Sequence, residues 1–274
     1  MKLRCEKVDR NFGEYVEITN PDGQHDVVLA CEHASAAIPK HLHDLGLSAD
    51  ARYSHIAWDP GALITAQYIS SLLDAPLVHS RVSRLVYDCN RAPSSLSAMP
   101  ETSEIYSVPG NRNLSEQERD RRAQSYYVPF RDALSKTLAA KQHPPVLITI
   151  HSFTPNYHGR KREVEIGILH DTDTRLADAL LKIAVDDEPE NDYIVRRNEP
   201  YGPDDDVTHT LQSHAIPANY LNVMIEIRND LLSTPEACET VAKLLARWID
   251  KAVETFVQRK DTRSETTTGK QTPQ

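Results

Sequence analysis

The sequence predicts an α/β protein: a single domain with a mixed, mostly parallel sheet and helices on both faces. Three observations predict it. Five short apolar runs, VVLA (27–30), PLVH (76–79), VLITI (146–150), VEIGIL (164–169) and VMIEI (223–227), read as buried strands. Longer segments with apolar residues at helical spacing lie between and after them, and strands alternating with helices give a largely parallel sheet covered on both faces. The chain has 274 residues, enough to bury one large core without a disulfide framework.

The first helical pattern, 60–73, follows Asp59, a residue type suited to an N-cap, and has Pro60 at its first position. The second, 114–141, opens on a capping box of Ser115 and Glu118. In the third, 174–185, Leu176, Leu180, Leu181 and Ile183 fall on one side. The fourth, 235–259, carries Val241, Leu244, Leu245, Trp248, Ile249, Ala252 and Phe256 on one stripe. Residues 1–259 are therefore expected to form the domain. Residues 260–274, KDTRSETTTGKQTPQ, contain no large apolar side chain and are expected to be a disordered tail.

Charge and motifs narrow the function classes. With 40 acidic against 31 basic residues the net charge is -9, which disfavours nucleic acid and anionic membrane as partners. No apolar run approaches the roughly 18 residues of a transmembrane helix, and the charged N-terminus has no secretory apolar region. Cys5, Cys31, Cys89 and Cys238 are scattered, with no CxxC pair. The expected compartment is the cytoplasm. Neither GxGxxG, nor a Walker A loop, nor GxSxG is present, so nucleotide binding and α/β-hydrolase chemistry lose weight. Nothing in the sequence signals an oligomeric state.

Four polar constellations stand at or near the C-terminal ends of predicted strands, the edge where open α/β sheets bind ligands. Glu32 and His33 follow VVLA and suit either a metal site or a capped surface pair. His151 follows VLITI; one such histidine is usually structural, but two on different strands favour a site. Glu226 interrupts VMIEI, where a buried carboxylate is costly unless it is paired, as with Arg228, or used as a base. Arg84 and Arg91 flank LVYDCN and suit capture of an anionic substrate, unless Arg84 simply pairs with Asp88. Asp59 is explained by capping alone.

At these residues the sequence resembles a known family. CEHASAAIP, WDPGA, SRLVYDCNRAP, HSFTP, NEPYGPDDD and IEIRNDLL occur in that order between about 27 and 232 and resemble the N-formylglutamate amidohydrolases. That family is similar to zinc carboxypeptidases and to aspartoacylase-type deacylases. The resemblance implies a zinc-carboxypeptidase-like (phosphorylase/hydrolase-like) fold and one Zn2+ per site. It makes His33 and His151 the imidazole ligands and Glu226 the general base. It assigns Asn90 and Arg91, with Arg84 in support, to the substrate carboxylate. Arg228 and Tyr201 join the substrate-binding candidates. The chain departs from the carboxypeptidase His-x-x-Glu pattern, because Ala36 stands three residues after His33. The carboxylate ligand is then expected to be Asp59, with Glu32 in reserve, since in an extended strand Glu32 points away from His33.

The implied activity is zinc-dependent hydrolysis of the N-formyl amide of an acidic amino acid such as N-formyl-L-glutamate. One alternative keeps the site but changes the substrate, to another N-acyl amino acid or a peptide. Another is a non-catalytic metal or carboxylate-binding module. The expected partner is thus a small-molecule N-acyl amino acid.

Overall fold

The computed structural model describes residues 13–187 and 192–267. Its centre is a seven-stranded mixed sheet: β1 (Val16–Thr19), β2 (Val27–Cys31), β3 (Leu77–Ser80), β4 (Val146–Phe153), β5 (Ile166–Leu169), β6 (Val195–Arg197) and β7 (Leu221–Arg228). The spatial order is β1-β3-β2-β4-β7-β5-β6. Strands β3, β2, β4 and β7 run parallel. At the margins β1 is antiparallel to β3, and β5 is antiparallel to β7.

The five apolar runs each form a strand. The sequence reading omits β1 and β6, and burial explains why: both are edge strands in which only Val16 is buried, so neither carries a continuous apolar run.

Strand alternation divides the interior in two. Val27, Leu29, Ile148, Ile150, Val223, Ile225 and Ile227 face a layer that includes Ala66, Ile69, Leu180 and the fully buried Trp248. These come from α1 (Ala62–Leu73), α4 (Arg175–Asp186) and α6 (Pro235–Thr267). Val28, Ala30, Val78, Leu147 and Met224 point the other way, toward Tyr87, Tyr127, Phe130 and Leu134. Helices α2 (Glu116–Arg122) and α3 (Val128–Ala139) supply part of that second cover, and α5 (His209–His214) adds Leu211.

Helix boundaries depart from the sequence reading in three places. α1 begins at Ala62 behind Gly61, with no side-chain cap, so Asp59 is not an N-cap. The 114–141 pattern starts as expected, with Ser115 Oγ accepting from the Glu118 N–H at 3.2 Å. It is then interrupted by a π-turn over Ala123–Tyr127. Pro129 follows at once; it has no N–H to donate and crowds the preceding turn. α6 continues to Thr267, eight residues beyond Arg259, through a stretch with no glycine or proline before Gly269. The remainder of the expected tail, 268–274, lies outside the described residues, as do 1–12 and 188–191 of the expected domain.

No helix among the described residues is long and apolar enough to cross a membrane. Cys31, Cys89 and Cys238 are free and buried.

Gly167, on β5 opposite Glu226, lets a loop reach the sheet. A Cβ there would lie 2.0 Å from the backbone carbonyl oxygen of Glu199, so only glycine admits the chain that leads into Tyr201. Gly167→Ala is therefore expected to cost about 1–3 kcal/mol of unfolding free energy, measured by urea denaturation. An unchanged midpoint would mean that the loop moves aside freely.

Candidate active site

The parallel register assembles the site. Glu226 on β7 is paired with His151 on β4, so both side chains leave the same face of the sheet. Ala30 is paired with Thr149. Two residues further along each chain come Glu32 and His151, and His151 Nε2 lies 3.1 Å from Glu32 Oε2. His33, the next residue after Glu32, accepts the Asp59 N–H on its own carbonyl at 2.9 Å. This bond draws the Trp58-Asp59-Pro60-Gly61 turn over the strand ends and aims the Asp59 carboxylate inward. Gly61 makes that turn in the left-handed region at φ +81°, against Leu232, where a Cβ would clash.

Asp59 Oδ2 is 3.3 Å from His33 Nδ1 and 2.9 Å from His151 Nδ1. It also accepts the Ser152 N–H at 3.3 Å. Among the described residues, His33, Asp59 and His151 form a buried group able to hold a metal, with one ligand atom each, all within 4.8 Å of one another. Two imidazole nitrogens and one carboxylate oxygen are the donor set of a catalytic zinc site that leaves a position open.

The outer imidazole nitrogens also face carboxylates. His33 Nε2 is 2.7 Å from Asp88 Oδ1, and Glu32 holds the corresponding place beside His151. Carboxylates so placed fix the ring orientation and tautomer of metal-ligating histidines. Asp88 entered the sequence reading only as a pairing partner for Arg84. Its position inside the buried LVYDCN segment is the signal that marks it out, because an acid there needs a partner of its own.

Arg84 bridges two of these acids, donating to Asp59 Oδ1 at 3.3 Å and to Asp88 Oδ2 at 2.9 Å. The charge balance remains negative: Glu32, Asp59, Asp88 and Glu226 are all buried acids on this site. Burial alone would raise Asp59 and Asp88, yet His33 and its neighbours hold both well below the usual carboxylate range. Burial likewise opposes the charge on His151, but Glu32 and Asp59 raise its pKa well above the ordinary imidazole value. Four buried acids around two imidazoles make a site that a cation would neutralise, and the donor set fits a divalent metal.

Glu226 behaves differently. Its Oε2 is buried without a hydrogen-bond partner among the described residues, and burial, reinforced by the Asp59 charge, pushes its carboxyl up to about 7 despite the pull of His151. An acid so placed is suited to exchanging protons near neutral pH.

The cleft above these groups has a volume of about 440 Å³ and is lined by His33, Asp59, Arg84, Asp88, Asn90, Arg91, His151, Tyr201 and Glu226, among others. Arg91 lines the cleft, donating to the Asn90 carbonyl at 2.9 Å and lying 3.7 Å from the exposed Asp206. Asn90 also borders the cleft, but its amide donates to the Val207 carbonyl and accepts the Thr210 N–H, so it anchors the 207–210 turn. Arg228 does not border the cleft. Its guanidinium is engaged by Glu165 at 3.0 Å and Asp230 at 2.9 Å, and it donates to the carbonyls of Arg162 and Glu163. The structure thus places this substrate-binding candidate away from the cleft, with Glu165 before β5 and Asp230 after β7 engaging its charge.

Comparison with known proteins places the chain. The family model for N-formylglutamate amidohydrolase matches residues 25–233. A crystal structure of a gene product from Agrobacterium tumefaciens is similar at 53% identity and a TM-score of 0.86, covering 89% of this chain and 97% of that one. An N-formylglutamate amidohydrolase from Ralstonia eutropha shares the fold at 18% identity and a TM-score of 0.60, covering 90% and 99% of the two chains. No curated protein matches. With six ordered motifs converging on one sheet edge and the family model spanning well over half its length, the chain belongs to the N-formylglutamate amidohydrolase family.

Proposed function

We propose that this protein is a zinc-dependent hydrolase of the N-formyl amide of an acidic amino acid, N-formyl-L-glutamate being the leading substrate. The observation that carries the reading is the convergence of His33, Asp59 and His151 on one point beside the buried Glu226, whose Oε2 has no hydrogen-bond partner among the described residues. Family membership supports the amide and the substrate class. A non-catalytic binding module has no use for a buried base, and Glu226 weighs against it.

His33 and His151, through Nδ1, and Asp59, through Oδ2, would hold the metal. Asp88 and Glu32 act behind the imidazoles as orienting groups, which makes Asp59 the carboxylate ligand rather than Glu32. When bound, the ion supplies Lewis-acid activation of a water nucleophile and of the amide carbonyl. Glu226 takes the proton of the attacking water as its oxygen adds to the formyl carbon, then delivers it to the departing amine as the C–N bond breaks. The products balance as formate and the free amino acid. Arg91 binds the substrate's α-carboxylate, which fixes the formyl carbon relative to Glu226 and converts binding into orientation. Arg84, held between Asp59 and Asp88 at the cleft wall, adds fixed positive charge where negative charge develops on the carbonyl oxygen.

Three outcomes test this reading. Elemental analysis of purified protein should give one zinc per chain, and His33→Ala or His151→Ala should remove it while Glu226→Gln keeps it. Formate release from N-formyl-L-glutamate should fall by about 10²–10⁴ in Glu226→Gln, the range for losing a general base. A variant within twofold of the parent would sink the assignment of Glu226.

The pH profile follows from the sign of one shift. Glu226 works as the ionised base, and without a cation its carboxyl is pushed up to about 7. A bound cation pulls it lower. Plotted against pH, kcat/KM should therefore be full at neutral pH and fall through a single acid limb below 7. In Glu226→Gln, the residual rate should lack that limb.

A further inference from the structure

An N-formylglutamate substrate has two carboxylates, and the groups already assigned account for one. Of the cations around the cleft, Arg84 is tied to Asp59 and Asp88, and His55 is paired with Glu104 at 2.8 Å. Arg91 is assigned to the α-carboxylate. A further cation, Arg162, does not border the cleft itself but stands half-buried behind three of its lining residues, Phe153, Tyr157 and Tyr201.

Arg162 is held there deliberately by its surroundings. It follows a tight hairpin in which Asn156–Tyr157 pairs with Arg160–Lys161, turned by His158 and Gly159, both at positive φ. Its guanidinium carbon lies 4.5 Å from the Tyr157 ring centre, 4.9 Å from Tyr201 and 5.4 Å from Phe153. Its hydrogen bonds go to neutral acceptors: the Thr154 carbonyl at 3.2 Å and the Tyr201 hydroxyl at 3.1 Å. Among the described residues no carboxylate pairs with it. Below, Arg228 donates to its backbone carbonyl at 3.3 Å and secures the segment to the sheet.

The bond to Tyr201 sets the chemistry. Because the phenol oxygen accepts from Arg162, its own proton is free to donate into the cleft. Burial, with the nearby Glu226 charge, pushes the Tyr201 pKa up to about 12, so that proton stays in place at neutral pH. A neutral donor backed by an uncompensated guanidinium is complementary to an anion. The loop from Asn198 to Val207 meets Arg162 through Tyr201 and Arg91 through Asp206, so the two cations lie against opposite ends of one loop.

We propose that Arg162, acting with Tyr201, is the specificity element that reads the side-chain carboxylate of the substrate and selects dicarboxylic N-acyl amino acids. This rests on the amidohydrolase reading above for the substrate class, but not for its test.

The experiment compares N-formyl-L-glutamate with N-formyl-L-glutamine, a neutral near-isostere, and separately the thermal stabilisation given by L-glutamate and by L-glutamine. The parent protein should prefer the dicarboxylic member of each pair. In Arg162→Gln, kcat/KM for N-formyl-L-glutamate should fall at least tenfold further than for N-formyl-L-glutamine, mainly through KM, and the preferential stabilisation by L-glutamate should disappear. Arg162→Lys should recover part of both. Tyr201→Phe, which keeps the ring and its packing, should show the same selective loss, and covers the case in which Arg162→Gln does not fold. Equal losses on both substrates would overturn the proposal, as would a parent protein with no dicarboxylate preference in turnover or in stabilisation. If neither substrate is turned over but the Arg162-dependent preference for L-glutamate persists, the specificity element stands and the amidohydrolase reading fails.

Discussion

Asp59 sits between two imidazoles, 2.9 and 3.3 Å from their Nδ1 atoms, with almost no exposure to water. A buried carboxylate is tolerated only where its charge is met, and here every neighbouring element contributes to meeting it: His33 from the end of β2, His151 from β4, Arg84 from the loop after β3, and the Ser152 N–H. Each of these groups then requires a partner of its own. The two histidines turn their far nitrogens to Asp88 and Glu32, and Arg84 extends its second arm to Asp88. The polar layer at the strand ends is one connected network of acids, imidazoles and a guanidinium, and its geometry follows from Asp59.

Such a network needs positions defined to a few tenths of an ångström, and the sheet supplies them. β4 and β7 are joined by eight residue pairs, the longest parallel pairing among the described residues, and this is what sets Glu226 beside His151. Their odd and even residues face different worlds: Ile150, Ile225 and Ile227 pack against the helices, while His151 and Glu226 face the cleft. A slip of one residue would exchange the two sets and bury the charges among leucines and isoleucines. The apolar core of this protein is therefore the device that fixes its polar register. It also explains how a carboxylate inside an apolar strand survives: Glu226 lies at the strand's open end, where its oxygen meets the cleft rather than the core.

Legibility in the sequence followed the same physics. The buried central strands are readable because burial on both faces demands continuous apolar runs; the edge strands β1 and β6 are not, because only Val16 in them is buried. His33, His151 and Glu226 were conspicuous as polar residues at the ends of apolar runs. Asp59 was ambiguous, since a turn before a helix explains an aspartate locally, and only the carbonyl bond from His33 shows which way it faces. Asp88 and Arg162 were hidden for a different reason. Their partners lie 55 and 39 residues away, His33 for one and Tyr201 for the other, and no local pattern encodes a contact across such separations. Arg228 shares its strand with Glu226, but its own partners, Glu165 and Asp230, come from outside that pattern.

The arrangement separates two tasks that one set of residues would perform poorly. Groups that handle the scissile amide hang from strand ends and their first turns, where backbone pairing resists displacement. Groups that read the rest of the substrate hang from loops, where shape is cheap to vary. Loops, however, position charge badly unless something stiffens them, and three devices do so here. Gly167 lets the chain before Tyr201 rest directly on the sheet, Arg228 clamps the segment at Arg162, and the stacked rings of Phe153, Tyr157 and Tyr201 hold the guanidinium between them. Arg228 thus serves recognition at one remove: with its charge spent on Glu165 and Asp230, it holds Arg162 in place, and Arg162 keeps its charge for the cleft.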